Sequence, residues 1–298
     1  MQSKSAAGFG AGRRRAEQAD IRRRAGAAVP GGAALPDSEF DAIRAWIYEK
    51  AGINLSGQKK ALVEGRLAPR LRHHGLRSYG EYFELLRSGA YPAEPQIAVD
   101  LLTTNETHFF RELKHFDFLR KQILARHPSG RMFRVWSAAS SSGEEPYSIA
   151  MTLAAALGES APWEVIASDL STRVLERARS GHYSVARAKL IPGPLLQKYC
   201  LKGVGAQEGT ILVEPRLRSR VQFAQINLIE ALPRLGEFNV IFLRNVMIYF
   251  DLPTKQALVK RMLPHLSGGG YFMVGHSESL NGVNDILKSV QPSIYRKP

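Results

Sequence analysis

Between Asp37 and about Val99 the large apolar residues recur three or four positions apart, which is the spacing of helices that bury one face. Glycines at positions 52, 75 and 89 separate the segments, and either Asp37 or Ser38 can cap the first helix. The pattern predicts a small all-helical N-terminal domain over residues 37–98. The apolar positions of its three helices are Phe40, Ile43, Trp46 and Ile47, then Leu62, Leu67 and Leu71, then Tyr82, Leu85 and Leu86.

After about residue 130 short apolar runs alternate with helical segments. The runs at 133–136, 165–167, 240–243 and 271–274 are nearly continuous, as strands buried on both faces require. Helices are predicted from Pro146 to Leu157 and from about Ser171 onward. The alternation predicts an α/β domain over residues 99–298, with an open, mostly parallel sheet that binds ligands at the carboxyl ends of its strands.

One stretch, at about 185–222, departs from this alternation. It contains Gly203, Gly205 and Gly209, followed by the β-type run Thr210 to Val213. Short β-type runs separated by glycines predict a small antiparallel β-subdomain inserted into the larger domain.

Residues 1–36 are rich in alanine, glycine and arginine and show no apolar periodicity, so they are expected to form a basic, disordered tail. Such a tail is either a solvated extension with weak attraction to anions or a specific docking arm. The whole chain carries a formal net charge of +14, which favours a polyanionic partner such as nucleic acid, an anionic membrane or an acidic protein surface.

Composition narrows the class of protein. The single cysteine, Cys200, excludes a disulfide within the chain, and no stretch approaches the roughly 18 to 20 apolar residues of a membrane span. The basic N-terminal residues are not followed by the apolar core of a secretory signal. We therefore expect a cytoplasmic protein that is not embedded in a membrane.

The loop after the first predicted strand consists of small residues and leads through Gly143 into a helix that begins with two glutamates. It lacks the lysine of a phosphate loop and the spacing of a dinucleotide fingerprint. Glu144 and Glu145 disfavour a phosphate and suit a ligand with cationic or hydroxyl groups. The alternative is that both glutamates only complement the helix dipole.

The second predicted strand ends at Asp169, where an acidic residue can accept hydrogen bonds from both hydroxyls of a ribose. The alternative role of Asp169 is to cap the next helix. A ribose site without a phosphate site points to S-adenosylmethionine as the cofactor.

Two further segments join polar and aromatic side chains. In residues 103–111, Arg111 can hold a carboxylate, and Asn105 and Thr107 can bond a polar ligand, although a helix cap at a domain hinge explains the same residues. In residues 242–251, Arg244 and Asn245 follow a buried strand. The neighbouring Tyr249 is either placed near a reacting group or is a packed aromatic, and Arg244 can equally pair with a structural carboxylate.

His276 and Glu278, which follow the last predicted strand, are weaker candidates. No cluster of histidine, cysteine and acidic residues has a metal-ligand spacing, so no metal site is predicted.

Five segments together resemble the CheR family of chemotaxis receptor glutamate methyltransferases. They are TTNETHFFRE (103–112), SSGEEPYSIAM (141–151), ASDLSTRVLERARSGHY (167–183), FLRNVMIYFD (242–251) and GHSESL (275–280). The resemblance covers about residues 38–297 in the same order. It implies a class I S-adenosylmethionine-dependent methyltransferase domain of Rossmann-like fold, with a small antiparallel β-subdomain, preceded by a small all-helical domain.

The resemblance also implies roles for individual residues. Tyr249 would lie beside the transferred methyl group, and Arg111 would lie near the methionine part of the cofactor, both as orienting residues. One of the two glutamates, with Glu145 favoured over Glu144, would bind there too. The remaining implied cofactor contacts are Asn105 and Thr107 at its border, Asp169 at the ribose, Asn227 and Leu228 beside the adenine, and Arg244 and Asn245 lining the pocket.

The implied reaction is methyl transfer from S-adenosylmethionine to glutamate carboxylates in the cytoplasmic domain of methyl-accepting chemotaxis receptors, at receptor arrays. The basic residues Lys59, Lys60, Arg66, Arg70, Arg72 and Arg77 then suit an acidic receptor surface. A C-terminal receptor peptide is a further expected ligand, at the loop of Gly203, Gly205 and Gly209, although the arginine-tyrosine-phenylalanine run of peptide-binding members is Lys198-Tyr199-Cys200 here.

Three other functions remain open. A nucleic-acid methyltransferase would explain the charge, but Arg244-Asn245-Val246-Met247 replaces the Asn/Asp-Pro-Pro-Tyr run of amino-methylating enzymes, and no nucleic acid is expected as a partner. A non-catalytic signalling module would keep the fold without the reaction. A small-molecule methyltransferase would have no use for the added helical domain.

Overall fold

The computed structural model describes residues 34–298, which divide into two compact units. Among these residues, the first unit holds 34–50 together with Leu55–Leu102, and the second holds Ala51–Asn54 and Thr103–Pro298. The predicted basic tail falls almost wholly on residues 1–33, which lie outside the described part of the chain.

The first unit is helical. Its helices are α1 (Asp37–Ala51), α2 (Lys60–His74), α3 (Tyr79–Ser88) and α4 (Glu94–Leu102), with a 3-10 turn at Gly57–Lys59. Helix α3 begins where the Ser78 hydroxyl accepts a hydrogen bond from the Glu81 amide, a normal N-cap. The apolar positions predicted for the first three helices are buried, apart from Leu62, which is half-buried.

A buried ion-pair network fixes α2, α3 and α4 to one another. Glu94, 3% exposed, accepts bonds from Arg70 Nε at 2.7 Å, Arg70 Nη2 at 2.6 Å and the Tyr82 hydroxyl at 2.8 Å, and lies 3.1 Å from His74 Nε2. Burial raises the pKa of Glu94, but Arg70, His74 and Tyr82 outweigh it and lower the pKa to about 2.

The second unit is an α/β domain. Its helices are α5 (Lys114–Phe118), α6 (Glu144–Leu157), α7 (Thr172–Ser180), α8 (Val185–Ala188), α9 (Gly193–Tyr199), α10 (Pro215–Arg218) and α11 (Leu252–Met262). Its strands are β1 (Phe133–Ser137), β2 (Trp163–Asp169), β3 (His182–Ser184), β4 (Cys200–Lys202), β5 (Thr210–Val213), β6 (Val221–Gln225), β7 (Phe238–Leu243), β8 (Leu266–Val274), β9 (Lys288–Gln291) and β10 (Ile294–Arg296). Short π or 3-10 turns occur at Leu119–Ile123, Leu124–Arg126, Gly205–Gln207, Met247–Tyr249 and Leu263–His265.

Seven strands form the main sheet in the order β6-β2-β1-β7-β8-β10-β9. The pairs from β6 to β8 are parallel, whereas β10 runs antiparallel to β8 and β9. The four apolar runs predicted as strands of the parallel sheet all lie in this sheet. The predicted architecture, an open and mostly parallel α/β sheet with a small antiparallel sheet and helices before it, is confirmed.

The small sheet has the order β3-β5-β4 and is antiparallel throughout. The insertion expected at about 185–222 contains β4 and β5, but the first strand, His182–Ser184, begins before it. The glycines of the predicted loop follow β4. A side chain at Gly203 would meet the Gln207 carbonyl oxygen at 1.9 Å, so only glycine fits there.

Side chains alternate between two buried clusters on the two faces of the main sheet. Val135 and Phe242 belong to one cluster, and their chain neighbours Trp136 and Ile241 belong to the other. This period of two is the geometry of a strand that is covered on both faces. Over the described residues, no helix is long and apolar enough to cross a membrane.

Candidate functional site

The carboxyl ends of three adjacent parallel strands meet at one edge of the main sheet. Strand β1 ends at Ser137, whose register partners are Ala167 in β2 and Phe242 in β7. Asp169 closes β2, and Arg244 directly follows β7. Residues far apart in the sequence therefore come together where an open α/β sheet binds its ligand.

The loop between β1 and α6 turns tightly around small residues. Ser141 has φ +48° and Gly143 has φ +97°. A Cβ atom on Gly143 would lie 2.6 Å from the Tyr183 hydroxyl and 2.9 Å from the Ala178 Cβ. The positive φ and the close contacts of a Cβ atom both require glycine at 143. The loop brings its backbone N–H groups to the N-terminus of α6.

Asp169 is fixed by this loop and by the residue that precedes α7. Its carboxylate accepts the Ser141 amide at 2.8 Å and the Ser171 amide at 2.9 Å. The second bond joins Asp169 to Ser171, the residue before α7, and the first holds Asp169 against the loop. Asp169 is 8% exposed at the end of β2.

Arg244 lies between two carboxylates. Its Nη1 donates to Glu145 Oε2 at 2.8 Å, and its Nη2 donates to Glu112 Oε2 at 2.9 Å and to the Arg111 carbonyl oxygen. The Arg244 side chain is 1% exposed. The other oxygen of Glu145 accepts the Ser137 hydroxyl at 2.8 Å, so the network reaches the end of β1.

Glu112, which the sequence did not single out, links Arg244 to Asn245 and His276. Its Oε1 accepts Asn245 Nδ2 at 3.3 Å and the His276 amide at 3.1 Å, while Oε2 takes Arg244. Burial raises the pKa of Glu112, but Arg244, the His276 amide and Asn245 outweigh it and lower the pKa to about 2. The carboxylate is therefore charged at neutral pH.

Glu278 performs a similar task for the neighbouring backbone. Its carboxylate accepts the amides of Gly275 at 2.6 Å, Asn245 at 2.7 Å and Ile248 at 3.3 Å. Asn245, with φ +57°, is thereby held in a conformation that asparagine tolerates better than most residues. The weaker sequence candidate Glu278 thus supports the segment that carries Asn245 and Tyr249.

Glu144 and Glu145 point to different partners. Glu144 is fully buried, bonds the Ser142 hydroxyl at 2.7 Å, and pairs with Arg187 Nε at 2.7 Å. Arg187 Nη2 also donates to the Thr107 carbonyl at 3.2 Å. Arg187 thus links the segment after β3 both to Glu144 and to Thr107. Glu145 instead belongs to the Arg244 network.

The other predicted site residues approach the same edge of the sheet. The Asn105 carbonyl accepts the Ser141 hydroxyl at 2.9 Å, which places Asn105 beside Asp169. Arg111 joins the network by its carbonyl, while its guanidinium donates to the Glu106 carbonyl at 2.9 Å. Tyr249 ends a 3-10 turn and is half-buried against the second core cluster.

Asn227 and Leu228 follow β6 and reach Asp169 through the backbone, because the Ile226 amide donates to the Asp169 carbonyl at 3.1 Å. Asn227 Nδ2 bonds Glu230 at 2.8 Å, and Leu228 is 8% exposed. The pair therefore borders the Asp169 side of the site.

Sequence reasoning missed Glu112 and Arg187. Glu112 stands next to Arg111 in a segment that the sequence did single out, and the strand-end Arg244 needed a carboxylate partner. Those two observations together could have identified Glu112. No local signal marks Arg187, because its partner Glu144 is 43 positions away along the chain.

Comparison with known proteins gives the family. Residues 38–103 match the family described as CheR methyltransferase, all-alpha domain, and residues 105–296 match CheR methyltransferase, SAM binding domain. A chemotaxis protein methyltransferase of Escherichia coli strain K12 is 47% identical over 251 residues, covering 83% of this chain and 86% of that protein.

Two further relatives match over a similar length. The chemotaxis protein methyltransferase of Salmonella typhimurium is 45% identical over 253 residues, covering 84% of this chain and 86% of the relative. Chemotaxis protein methyltransferase 2 of Pseudomonas aeruginosa is 45% identical over 263 residues, covering 86% and 92%. With both domains matched along nearly all of the described residues, the chain belongs to the CheR methyltransferase family and carries that family's S-adenosylmethionine-binding domain.

Proposed function

We propose that this protein transfers a methyl group from S-adenosylmethionine to glutamate side-chain carboxylates of chemotaxis receptors, giving a glutamate methyl ester and S-adenosylhomocysteine. The observation that carries the proposal is the buried network of Glu145, Arg244 and Glu112 at the strand ends of a chain whose relatives are named chemotaxis protein methyltransferases. In this proposal the protein acts in the cytoplasm at receptor arrays.

The charges of the site suit this cofactor. Two carboxylates surround one guanidinium in the network, so Glu112, Arg244 and Glu145 together carry one net negative charge that favours a positively charged ligand. Asp169, held at the end of β2, supplies the acceptor that ribose hydroxyls need. We assign Asn105, Thr107 and Arg111 to the methionine side of the cofactor and Asn227 and Leu228 to its adenine.

The two adjacent glutamates receive separate roles. Glu145 shares Arg244 with Glu112 and is 11% exposed, so we propose it as the cofactor contact. Glu144 is fully buried and is paired with Arg187, so we propose that it holds the loop in shape. Arg244 and Asn245 then line the pocket, where their hydrogen bonds to Glu112 hold them in place.

The acceptor needs no general base. A glutamate side chain has an ordinary pKa near about 4.3, so it is already ionised at neutral pH. The bound cofactor supplies the methyl group as a positively charged methylsulfonium. The remaining tasks of the protein are to orient the carboxylate and to exclude water, and we assign these tasks to Tyr249 and Arg111.

The helical unit offers cations for a receptor surface that carries glutamates. Lys60 and Arg70 are already paired with Asp37 and Glu94, and Arg66 donates to the Leu102 carbonyl. Lys59, Arg72 and Arg77 are exposed and are the cations that we propose for the encounter with the receptor.

We also propose that the loop after β4 takes a receptor peptide. Strand β4 is an edge of the small sheet, and Leu201 and Val204 beside the glycines are 44% and 77% exposed. An open edge strand with apolar side chains is a surface to which a peptide can add as a further strand. The buried Tyr199 and half-buried Cys200 of the departing Lys198-Tyr199-Cys200 run serve the core of the sheet instead.

The test measures transfer of tritiated methyl from S-adenosylmethionine to membranes that contain one chemotaxis receptor and no other methyltransferase. Mild alkali should release the label as methanol, because carboxyl methyl esters hydrolyse and N-methyl groups do not. A receptor whose acceptor glutamates are replaced by glutamine should take up no label. Removal of the receptor's C-terminal peptide should reduce the rate if the loop after β4 binds it.

Matched variants of the enzyme separate site residues from surface charge. Arg111→Ala and Tyr249→Phe should lower the rate of transfer, while Arg131→Ala, an exposed arginine in the same unit, should leave it unchanged. Alkali-stable label would replace the proposal with methylation of nitrogen and revive a nucleic-acid substrate. Absence of both transfer and cofactor binding by calorimetry would support a non-catalytic module.

A further inference from the structure

Three side chains that can bind a metal ion, those of Glu112, His115 and His276, lie close together, and Glu112 is also a member of the Arg244 network. The Nδ1 atom of His115 lies 3.5 Å from Glu112 Oε2, and the Nε2 atom of His276 lies 4.0 Å from the same oxygen. One ligand atom from each of the three residues lies within 4.8 Å of the other two. Ligands of a tetrahedral ion bound at about 2.0–2.2 Å are about 3–4 Å apart, so small side-chain movements would close this set around a cation.

His115 supplies an independent reason to expect a ligand. Its side chain is 1% exposed, and neither of its ring nitrogens has a hydrogen-bond partner among the described residues. An imidazole buried without a partner loses the hydrogen bonds that it makes in water. Two side chains close to it, those of Glu112 and His276, are themselves metal-ligand types, and the His276 ring lies edge-on to the His115 ring with centroids 5.2 Å apart.

The surroundings permit another cation. Glu112 and Glu145 both pair with the buried guanidinium of Arg244, so two carboxylates face one cation. The Oε2 atom of Glu112 faces both imidazoles and also accepts Arg244, while Oε1 is held by Asn245 and by the His276 amide. A carboxylate oxygen has two lone pairs, so Oε2 can bind an ion while it keeps its contact with Arg244.

We propose that Glu112, His115 and His276 bind one divalent transition-metal ion. Two imidazoles and one carboxylate are a ligand set for Zn²⁺, Co²⁺ or Ni²⁺, whereas Mg²⁺ and Ca²⁺ prefer oxygen ligands alone. His276 is 48% exposed and forms the open side of the site, where water completes the coordination. The ion and Arg244 would share Glu112, which connects metal binding to the network at the strand ends.

The test uses the full chain without an affinity tag and without S-adenosylmethionine, and its probe is Zn²⁺ in competition with a chromogenic chelator. We expect one Zn²⁺ per chain. His276→Gln should weaken binding at least about tenfold, the scale on which loss of a metal-site partner acts. His276 is exposed, so this variant keeps the fold. His182→Gln, which removes another exposed imidazole in the same unit, should bind Zn²⁺ as the unchanged chain does.

A second readout separates this site from adventitious zinc. Co²⁺ bound by two imidazoles and a carboxylate gives visible absorption bands, and these should disappear in both His276→Gln and His115→Gln, with folding checked by circular dichroism. Absence of stoichiometric Zn²⁺ binding, or equal binding by His276→Gln and the unchanged chain, overturns the proposal. Because no readout involves methyl transfer, the result is independent of the function proposed above.

Discussion

The Arg187 Nε atom lies 2.7 Å from Glu144 Oε1. Arg187 follows β3 of the small sheet, and Glu144 is a fully buried glutamate beside the loop after β1. Arg187 therefore supplies the counter-ion of Glu144. The same guanidinium donates to the Thr107 carbonyl. The small sheet is therefore linked mechanically to the segment proposed to bind the cofactor.

Arg187→Ala should destabilise the second unit by about 1–3 kcal/mol, because it leaves the charge of Glu144 buried without its cation. Arg187 is itself 30% exposed, which keeps the loss below that of a fully buried pair. Urea denaturation measures the change. Lys189→Ala, an exposed cation two positions away, should have little effect, and an equal loss in both variants would contradict this role for the ion pair.

Glu112→Gln should weaken binding of S-adenosylmethionine about tenfold, or about 1.4 kcal/mol, because Arg244 loses one of the two carboxylates that orient it. Calorimetry of the purified protein measures this affinity. Glu106→Gln, an exposed glutamate in the same segment, is the control. Unchanged affinity in Glu112→Gln would show that Glu145 alone positions Arg244.

Gly143→Ala should destabilise the protein by about 1–3 kcal/mol, because the new Cβ combines a positive φ with a 2.6 Å approach to the Tyr183 hydroxyl. Gly89→Ala is the control, since Gly89 is also left-handed, with φ +67° and ψ 5° against +97° and −4° at Gly143, but has open space around its Cβ position. The difference between the two free energies of unfolding isolates the steric part. Equal losses would mean that the backbone conformation alone requires glycine at 143.

The helical unit should lose stability in acid through Glu94. Its folded-state pKa is about 2 against a usual value of 4.5, so its contribution is complete above pH 4.5 and is lost as the pH falls towards 2. Hydrogen exchange of peptides from residues 60–102 should therefore accelerate between pH 4.5 and 3, after correction for intrinsic rates. Glu94→Gln should remove most of this dependence, whereas the exposed Glu84→Gln should retain it.

The central strands could be predicted from the sequence, because a strand that is buried on both faces is an unbroken run of apolar residues. Strand β7 is one example, since its residues 240–243 are all buried. Strand β9 shows the opposite case. Its four residues, Lys288–Gln291, are all exposed, so no apolar pattern could reveal a strand that is defined only by its pairing with β10.

The site was predictable to the extent that its residues stand at strand ends. Asp169 and Arg244 were found in this way, and the strand order brings their strands to either side of β1. Glu112 and His115 lie outside the strands, and their partners Arg244 and His276 become neighbours only in the folded chain. A sequence shows the residue types of such a network but not which of them meet.

The separation of partners along the chain has a consequence for the order of folding. Arg244 meets Glu112 across 132 positions and Glu145 across 99, whereas Arg70 meets Glu94 across only 24. Closing a long loop costs more entropy before its contact forms, so contacts between distant positions tend to form late. On refolding from urea, the Arg70–Glu94 pair should form early and the Arg244 network late. A partly folded chain would then display its helices while still being unable to hold the cofactor.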